Sequence, residues 1–216
     1  MSVGHRLRQA WLGLTSRTAA TYWERRYQSG MDSGAGSRGE LAEFKAKVIN
    51  ELVTSKNLQT VIELGCGDGQ QLALANYPSY LGLDVSATAI DLCKTRFADA
   101  ANRAFLWYDP DRTVHIANFL RADLTLSLDV IYHLLEDHVY ESYLRDLFAL
   151  SRRWVVIYSS NKVPERTAPH VKHRNFSKDV SNKYPDFELR EIIRNPHPGL
   201  TFADFYIFER KSAAGG

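Results

Sequence analysis

The run VIELGCGDGQ, Val61 to Gln70, constrains this chain more than any other stretch. Val61 and Ile62 are β-branched and apolar, as in a buried strand, and Glu63 stands near the strand's end. Gly65, Gly67 and Gly69 then alternate with Cys66 and Asp68. Glycines this closely spaced permit backbone angles that other residues avoid, and they let a ligand approach the main chain. An acid beside the loop suits a ligand with cationic or hydroxyl groups better than a bare phosphate. A dinucleotide fingerprint, Gly-x-Gly-x-x-Gly, needs glycine at position 70, where Gln70 stands. A P-loop needs Gly-Lys-Ser/Thr after four spacers, and none follows Gly65. The plain alternative is a glycine turn in an α/β domain with no ligand.

Apolar periodicity alternates between helix and strand along the rest of the sequence. Thr18 to Tyr27 predicts an aromatic-rich helix, and Ser29 to Gly39 (SGMDSGAGSRG) a glycine/serine loop with little reason to be rigid. Glu40 to Ser55 carries Leu41, Phe44, Val48, Ile49 and Leu52 at helical spacing. Strands are expected over Thr60–Leu64, Tyr80–Asp84, Ala104–Tyr108, Leu124–Asp129 and Trp154–Ser159. A helix should open over Gln70 to Ala75, Ser86 should cap another that reaches Ala98, and Val139 to Leu150 should form a third. Asn161 to Asn175 is polar and reads as a loop, and Ser177 to Tyr184 as a short helix. Phe187–Arg194 and Phe202–Glu209 alternate about the turn NPHPG and predict an antiparallel hairpin. Strands alternating with helices predict an α/β fold with a doubly wound, mostly parallel sheet. The 216 residues suit a single domain, with the core over 41–210 and an N-terminal helix and Gly/Ser segment over 1–40.

The formal net charge of +2 calls for no nucleic-acid partner. The two cysteines, Cys66 and Cys93, exclude a disulfide framework and point to a reducing, cytoplasmic setting. No apolar run reaches membrane-spanning length, so no transmembrane segment is expected. Val3 to Leu14 places Leu7, Trp11, Leu12 and Leu14 among His5, Arg6 and Arg8. It reads either as a helix packed on the domain or as a basic amphipathic helix in peripheral contact with a membrane.

The glycine run, with the strand LGLDVS, resembles the first two motifs of the class I S-adenosylmethionine-dependent methyltransferases. There an acid precedes Gly-x-Gly-x-Gly, and a second acid ends the next strand. The resemblance implies a Rossmann-like sheet of seven strands with the last reversed, S-adenosyl-L-methionine as cofactor, and methyl transfer as the activity. Ligands of such sheets sit outside the carboxyl ends of the strands, at the switch point. Gly65, Cys66, Gly67, Asp68 and Gly69 would then border the cofactor, and Asp84, with Val85 beside it, would accept the ribose hydroxyls. Glu63 would organise the methionine end, and Asp109 would contact the adenine. YWERRY resembles the cofactor-covering helix of many small-molecule methyltransferases, which assigns Tyr22 and Tyr27 to the cofactor. The glycine/serine segment would be a flexible lid, or else a plain linker. Structural roles compete at Asp84 (a helix cap), Asp68 (bonding loop amides) and Asp109 (an Asp-Pro turn).

The acceptor side is less explicit. In the family, the segment after strand four faces the methyl group, which makes Asp129 and His133 the catalytic candidates. Histidine suits general-base work near neutral pH. A bond from His133 to Glu136 or Asp137 is the structural alternative. No Asn-Pro-Pro-Tyr motif follows strand four, which argues against exocyclic base nitrogens, and no metal cluster stands out. His170, Lys172, His173 and Arg174 form a cationic group suited to an anionic substrate, or a solvated basic loop. His170 and His173 are also reserve bases. The expected function is O-methylation of a small or saccharide-like acceptor. The alternatives are N- or protein methylation, or a catalytically silent binding module of the same fold.

Overall fold

The computed structural model describes residues 18–110, 116–162 and 171–212. The segment Val3 to Leu14 and His170 lie outside them. Seven strands form one sheet in the order β3-β2-β1-β4-β5-β7-β6. They are β1 (Thr60–Leu64), β2 (Ser79–Asp84), β3 (Arg103–Trp107), β4 (Ala122–Leu128), β5 (Ser151–Ser159), β6 (Phe187–Ile193) and β7 (Asp204–Arg210). Neighbours from β3 through β5 pair in parallel, and β7 pairs antiparallel with both β5 and β6. The last strand is therefore the reversed one, inserted between β5 and β6.

Strand alternation sends successive side chains to opposite faces. On one face Val61, Leu126, Val156 and Phe205 pack with Val48, Ile49 and Val53 of helix α2 (Gly39–Ser55) and with Ile90 and Cys93 of α3 (Ala87–Arg96). On the other, Ile62, Val155, Ile157 and Tyr206 meet Tyr143, Leu144 and Leu147 of α4 (Asp137–Ala149) and Phe176 and Val180 of α5 (Phe176–Lys183). Helix α1 (Ala19–Gln28) begins at Thr18, whose side chain accepts from the Thr21 N–H.

One expected helix is absent. After the glycine loop the chain makes only a 3-10 turn, Gln71–Leu74. Asn50 takes up the chain there: its amide donates to the Leu74 carbonyl at 3.0 Å, and its carbonyl accepts from Asn76 N–H at 2.9 Å. Pro78 then disfavours helical angles at Tyr77. The chain order reverses between β1 and β4, so the loops leaving these strands diverge and open a crevice. Among the described residues no helix is long and apolar enough to cross a membrane.

Candidate active site

A cavity of about 370 Å³ fills that crevice. Glu63, Gly65, Cys66 and Gly67 border it from β1 and its loop, and Asp84 and Val85 from the end of β2. Asp109 borders it after β3, and Asp129 and His133 after β4. Gly65 and Gly67 have φ of +82° and +58°, where side chains are strained. A Cβ on Gly67 would also collide with the Ser33 hydroxyl and come within 2.9 Å of the Tyr27 hydroxyl. One on Gly65 would collide with Val130. The loop is thus shaped so that main chain, and not side chain, faces the cavity. Gly69 stands off the cavity, where an added Cβ would come within 2.7 Å of the Phe97 ring.

Asp84 is buried, and its two oxygens accept separately from Gly67 N–H at 2.8 Å and Ser86 N–H at 2.9 Å. A carboxylate has about four acceptor sites. About two therefore remain, on a group that borders the cavity. Burial pushes the Asp84 carboxyl up to about 6, against the pull of the Ser86 and Gly67 hydrogen bonds. Glu63 is pushed to about 7 by burial, opposed by the Tyr80 hydroxyl at 2.7 Å and by the charge of Lys45.

Lys45, which the sequence reading did not single out, is the basic group of this wall. Its side chain is 1% exposed, and its ammonium donates to Asp129 Oδ2 at 2.7 Å. Tyr132 donates to the other Asp129 oxygen at 2.9 Å. Asp129 follows β4 with φ of +60°, a sparsely populated conformation for a residue with a side chain. The strand prediction ran one residue too far here, because this residue leaves the sheet in a sharp turn toward Lys45. Among the described residues, Glu63, Asp84, Asp109, Asp129 and Glu136 line the cavity with the ammonium of Lys45 as the one Lys or Arg group against them. Two buried acceptor atoms, Gln71 Oε1 and Glu136 Oε2, have no partner among the described residues, and both residues line the cavity. A donor-rich, cationic ligand fits this lining better than an anion does.

The glycine/serine segment is bound down where the sequence suggested a flexible lid. Ser33 donates to Asp68 through its N–H (3.2 Å) and hydroxyl (2.8 Å), and its hydroxyl contacts Tyr27 at 3.0 Å. Asp32 pairs with Arg38, and the Asp32 carbonyl accepts from buried Arg26 at 2.6 Å. A 3-10 turn, Ala35–Ser37, carries Gly36 to where an added Cβ would lie 2.9 Å from Asp129 Oδ2. Asp68 stands off the cavity and holds this cover to the glycine loop. Helix α1 is fixed separately: Glu24 accepts from Ser86 at 2.6 Å and Thr88 at 2.7 Å. Burial opposes ionisation of Glu24, yet these bonds hold its carboxyl below the usual range.

Tyr27 borders the cavity and Tyr22 does not. Residues four apart share a helix face, so Trp23 joins Tyr27, their rings stacked at 5.8 Å, while Tyr22 turns inward against Met31. Trp23 also meets the His133 ring edge-on at 5.0 Å. His133 reaches the wall through a 3-10 turn, Ile131–His133. Of the cationic group after β5, two members have protein partners. Lys172 and Arg174 both donate to Asp137, at 2.6 and 2.8 Å, and Arg174 also donates to the Leu134 carbonyl at 2.7 Å. The Lys172 and Arg174 hydrogen bonds hold the Asp137 carboxyl down at about 2. His173 points elsewhere, to the Ser160 hydroxyl. Among the described residues no three His, Cys, Asp or Glu are grouped to hold a metal ion.

Strand order, reversed seventh strand and glycine-loop crevice together define the class I methyltransferase fold. No family model and no curated protein matches the sequence. Solved structures match the fold. The N-methyltransferase NodS from Bradyrhizobium japonicum WM9, in complex with S-adenosyl-L-homocysteine, aligns with a TM-score of 0.73 at 14% identity, over 90% of this chain and 100% of that one. Magnesium protoporphyrin IX methyltransferase (ChlM) from Synechocystis PCC 6803, with bound SAM, gives 0.64 at 14% identity, over 91% and 99%. The methyltransferase domain of bacterial CtHen1-C gives 0.63 at 18% identity, over 79% and 98%. Similar structures include proteins named as N-, O- and carbon methyltransferases, so the shared fold does not choose the acceptor atom.

Proposed function

We propose that the protein is an S-adenosylmethionine-dependent methyltransferase that acts on a hydroxyl of a small acceptor. The observation that carries this reading is Asp84: a buried carboxylate with about two acceptor sites left, beside a loop from which side chains are excluded. Two vicinal ribose hydroxyls match those sites. The acidic lining and the faces of Trp23 and Tyr27 suit a sulfonium cation. When bound, the cofactor supplies a methyl group already activated for displacement. The protein then has to hold the acceptor in line, which is worth about 7–11 kcal/mol in favourable cases. His133, on the wall beside Trp23, takes the acceptor's proton.

Calorimetry with S-adenosylhomocysteine tests the cofactor reading, and no binding would overturn it. The affinity should also depend on pH. Asp84 must be ionised to accept both hydroxyls, and its carboxyl titrates at about 6. Acid therefore weakens binding: the dissociation constant should rise by about tenfold between pH 7.5 and pH 5. A flat profile would count against the ribose role. His133→Ala should leave S-adenosylhomocysteine binding intact and lower turnover by about 10²–10⁴, read as S-adenosylhomocysteine formed across an acceptor panel. Undiminished turnover would remove His133 as the base.

A further inference from the structure

Gly67 stands at φ of +58° where it borders the cavity. Glycine loses more conformational freedom on fixing than any other residue, so its surroundings must hold this conformation. The peptide groups on both sides of Gly67 are gripped. On the N-terminal side, its N–H donates to Asp84 at 2.8 Å. On the C-terminal side, the holder is a residue outside the cavity lining, Cys93.

Cys93 lies on α3 and is 0% exposed. Its thiol donates to the Gly67 carbonyl, with Sγ 3.1 Å from the oxygen. The Cys66 thiol approaches the same oxygen only to 3.8 Å. A Cβ built on Gly69 would lie 3.1 Å from Cys93 Sγ, beside the Phe97 ring. Phe97 caps α3 four residues on, and residues four apart share a helix face. Cys93 and Phe97 together are therefore a floor for the glycine loop, and Cys93 adds a donor to it. An alkyl side chain in its place would leave the carbonyl with the distant Cys66 thiol alone.

The Gly67–Asp68 peptide also faces the cover. A trans peptide is planar, and its carbonyl and N–H point in opposite directions. Here the carbonyl takes the Cys93 thiol, and the N–H donates to the Ser33 hydroxyl at 3.2 Å. One rigid plane thus links α3 to the glycine/serine segment, and rotating it breaks both bonds at once. The Ser33 hydroxyl in turn donates to Asp68 Oδ1 at 2.8 Å, which closes a ring on that residue.

We propose that Cys93 is a positioning residue: its thiol sets the orientation of the Gly67–Asp68 peptide, and through that plane it helps to seat Ser33 and the cover over the cavity. The hold belongs to the fold and needs no ligand. Its consequence for cofactor affinity rests on the methyltransferase reading. A thiol is a weak donor, so the effect is modest and local. Serine can replace it as a donor, whereas alanine and valine cannot.

Amide hydrogen exchange on the full chain, without ligand, tests the hold. Lost packing alone would quicken exchange along α3 as well, so the quantity read is the rate at Asp68 relative to that at Ile90. Cys93→Ala should raise this ratio by about three- to fivefold, and Cys93→Ser should return it to the parent value. Cys93→Val, which fills the space without a donor, should match Cys93→Ala. In the Ser33→Ala background, where the other end of the plane is already free, Cys93→Ala should change the ratio much less. S-adenosylhomocysteine, titrated in parallel, should bind Cys93→Ala about threefold more weakly and Cys93→Ser as it binds the parent. An unchanged ratio in the alanine and valine variants, a ratio that serine fails to restore, or additive effects with Ser33→Ala each overturns the positioning role. A raised ratio with unchanged affinity overturns its link to the cofactor. Failure of the parent to bind S-adenosylhomocysteine overturns the methyltransferase reading instead, while the exchange ratio still judges Cys93.

Discussion

Asp84→Ala is expected to weaken S-adenosylhomocysteine binding by about 100-fold or more. Hydrogen bonds to a charged group contribute about 1.5–3 kcal/mol each, and the variant loses two to the ribose. It also frees the Gly67 N–H that the carboxylate holds at 2.8 Å, so the glycine loop loses one of its ties to β2 and keeps those of the Gly65 and Cys66 N–H groups to the Leu83 carbonyl. Folding should suffer much less than binding. The folded protein already raises this carboxyl to about 6 from an ordinary 3.8, so near neutral pH the ionised side chain opposes folding, and its removal relieves that cost. Asp84→Asn keeps acceptor capacity without the charge and should fall between the two. Calorimetry against the parent decides the matter, and an unchanged affinity would discard the ribose assignment.

Lys45→Met should be the costliest substitution in the site for stability. It leaves Asp129, 19% exposed and held at φ of +60°, without the ammonium at 2.7 Å. Breaking a buried pair on one side costs about 3–5 kcal/mol. Partial exposure of Asp129 places this case at the lower end, so a melting point lower by roughly 5–10 °C is expected for a chain of this length. The double variant Lys45→Met, Asp129→Asn removes both charges and should recover most of the loss. Thermal denaturation of the parent, both singles and the double tests the coupling. Additive losses in the double variant would mean that the pair is not a unit.

Sequence revealed the parts whose physics is local. β1, its glycine turn, β2 and the Ser86 cap each carry their signal within a few residues, and the structure sets them at the predicted places. Lys45 was overlooked although it had a signal. It lies four residues from both Leu41 and Ile49, on the apolar stripe of α2, and a lysine there needs a partner. Trp23 was legible by the same spacing, since it shares a helix face with Tyr27. Tyr132 carried no local cue, because its place depends on the turn that Asp129 makes. The basic cluster left two roles open for a related reason: that Arg174 meets Asp137, 37 positions away in sequence, is a long-range contact that no neighbouring residue records.

The seated cover has a consequence for timing. Ser33 grips Asp68 on one side and Gly36 crowds Asp129 on the other, so the segment bridges the two loops that flank the cavity. On the proposed reading, a molecule lying beneath the segment leaves more readily once those contacts let go. Removing the hydrogen bonds to Ser33 should then shorten the residence time of spent cofactor, as the loosening of a cover over a bound product does in many enzymes.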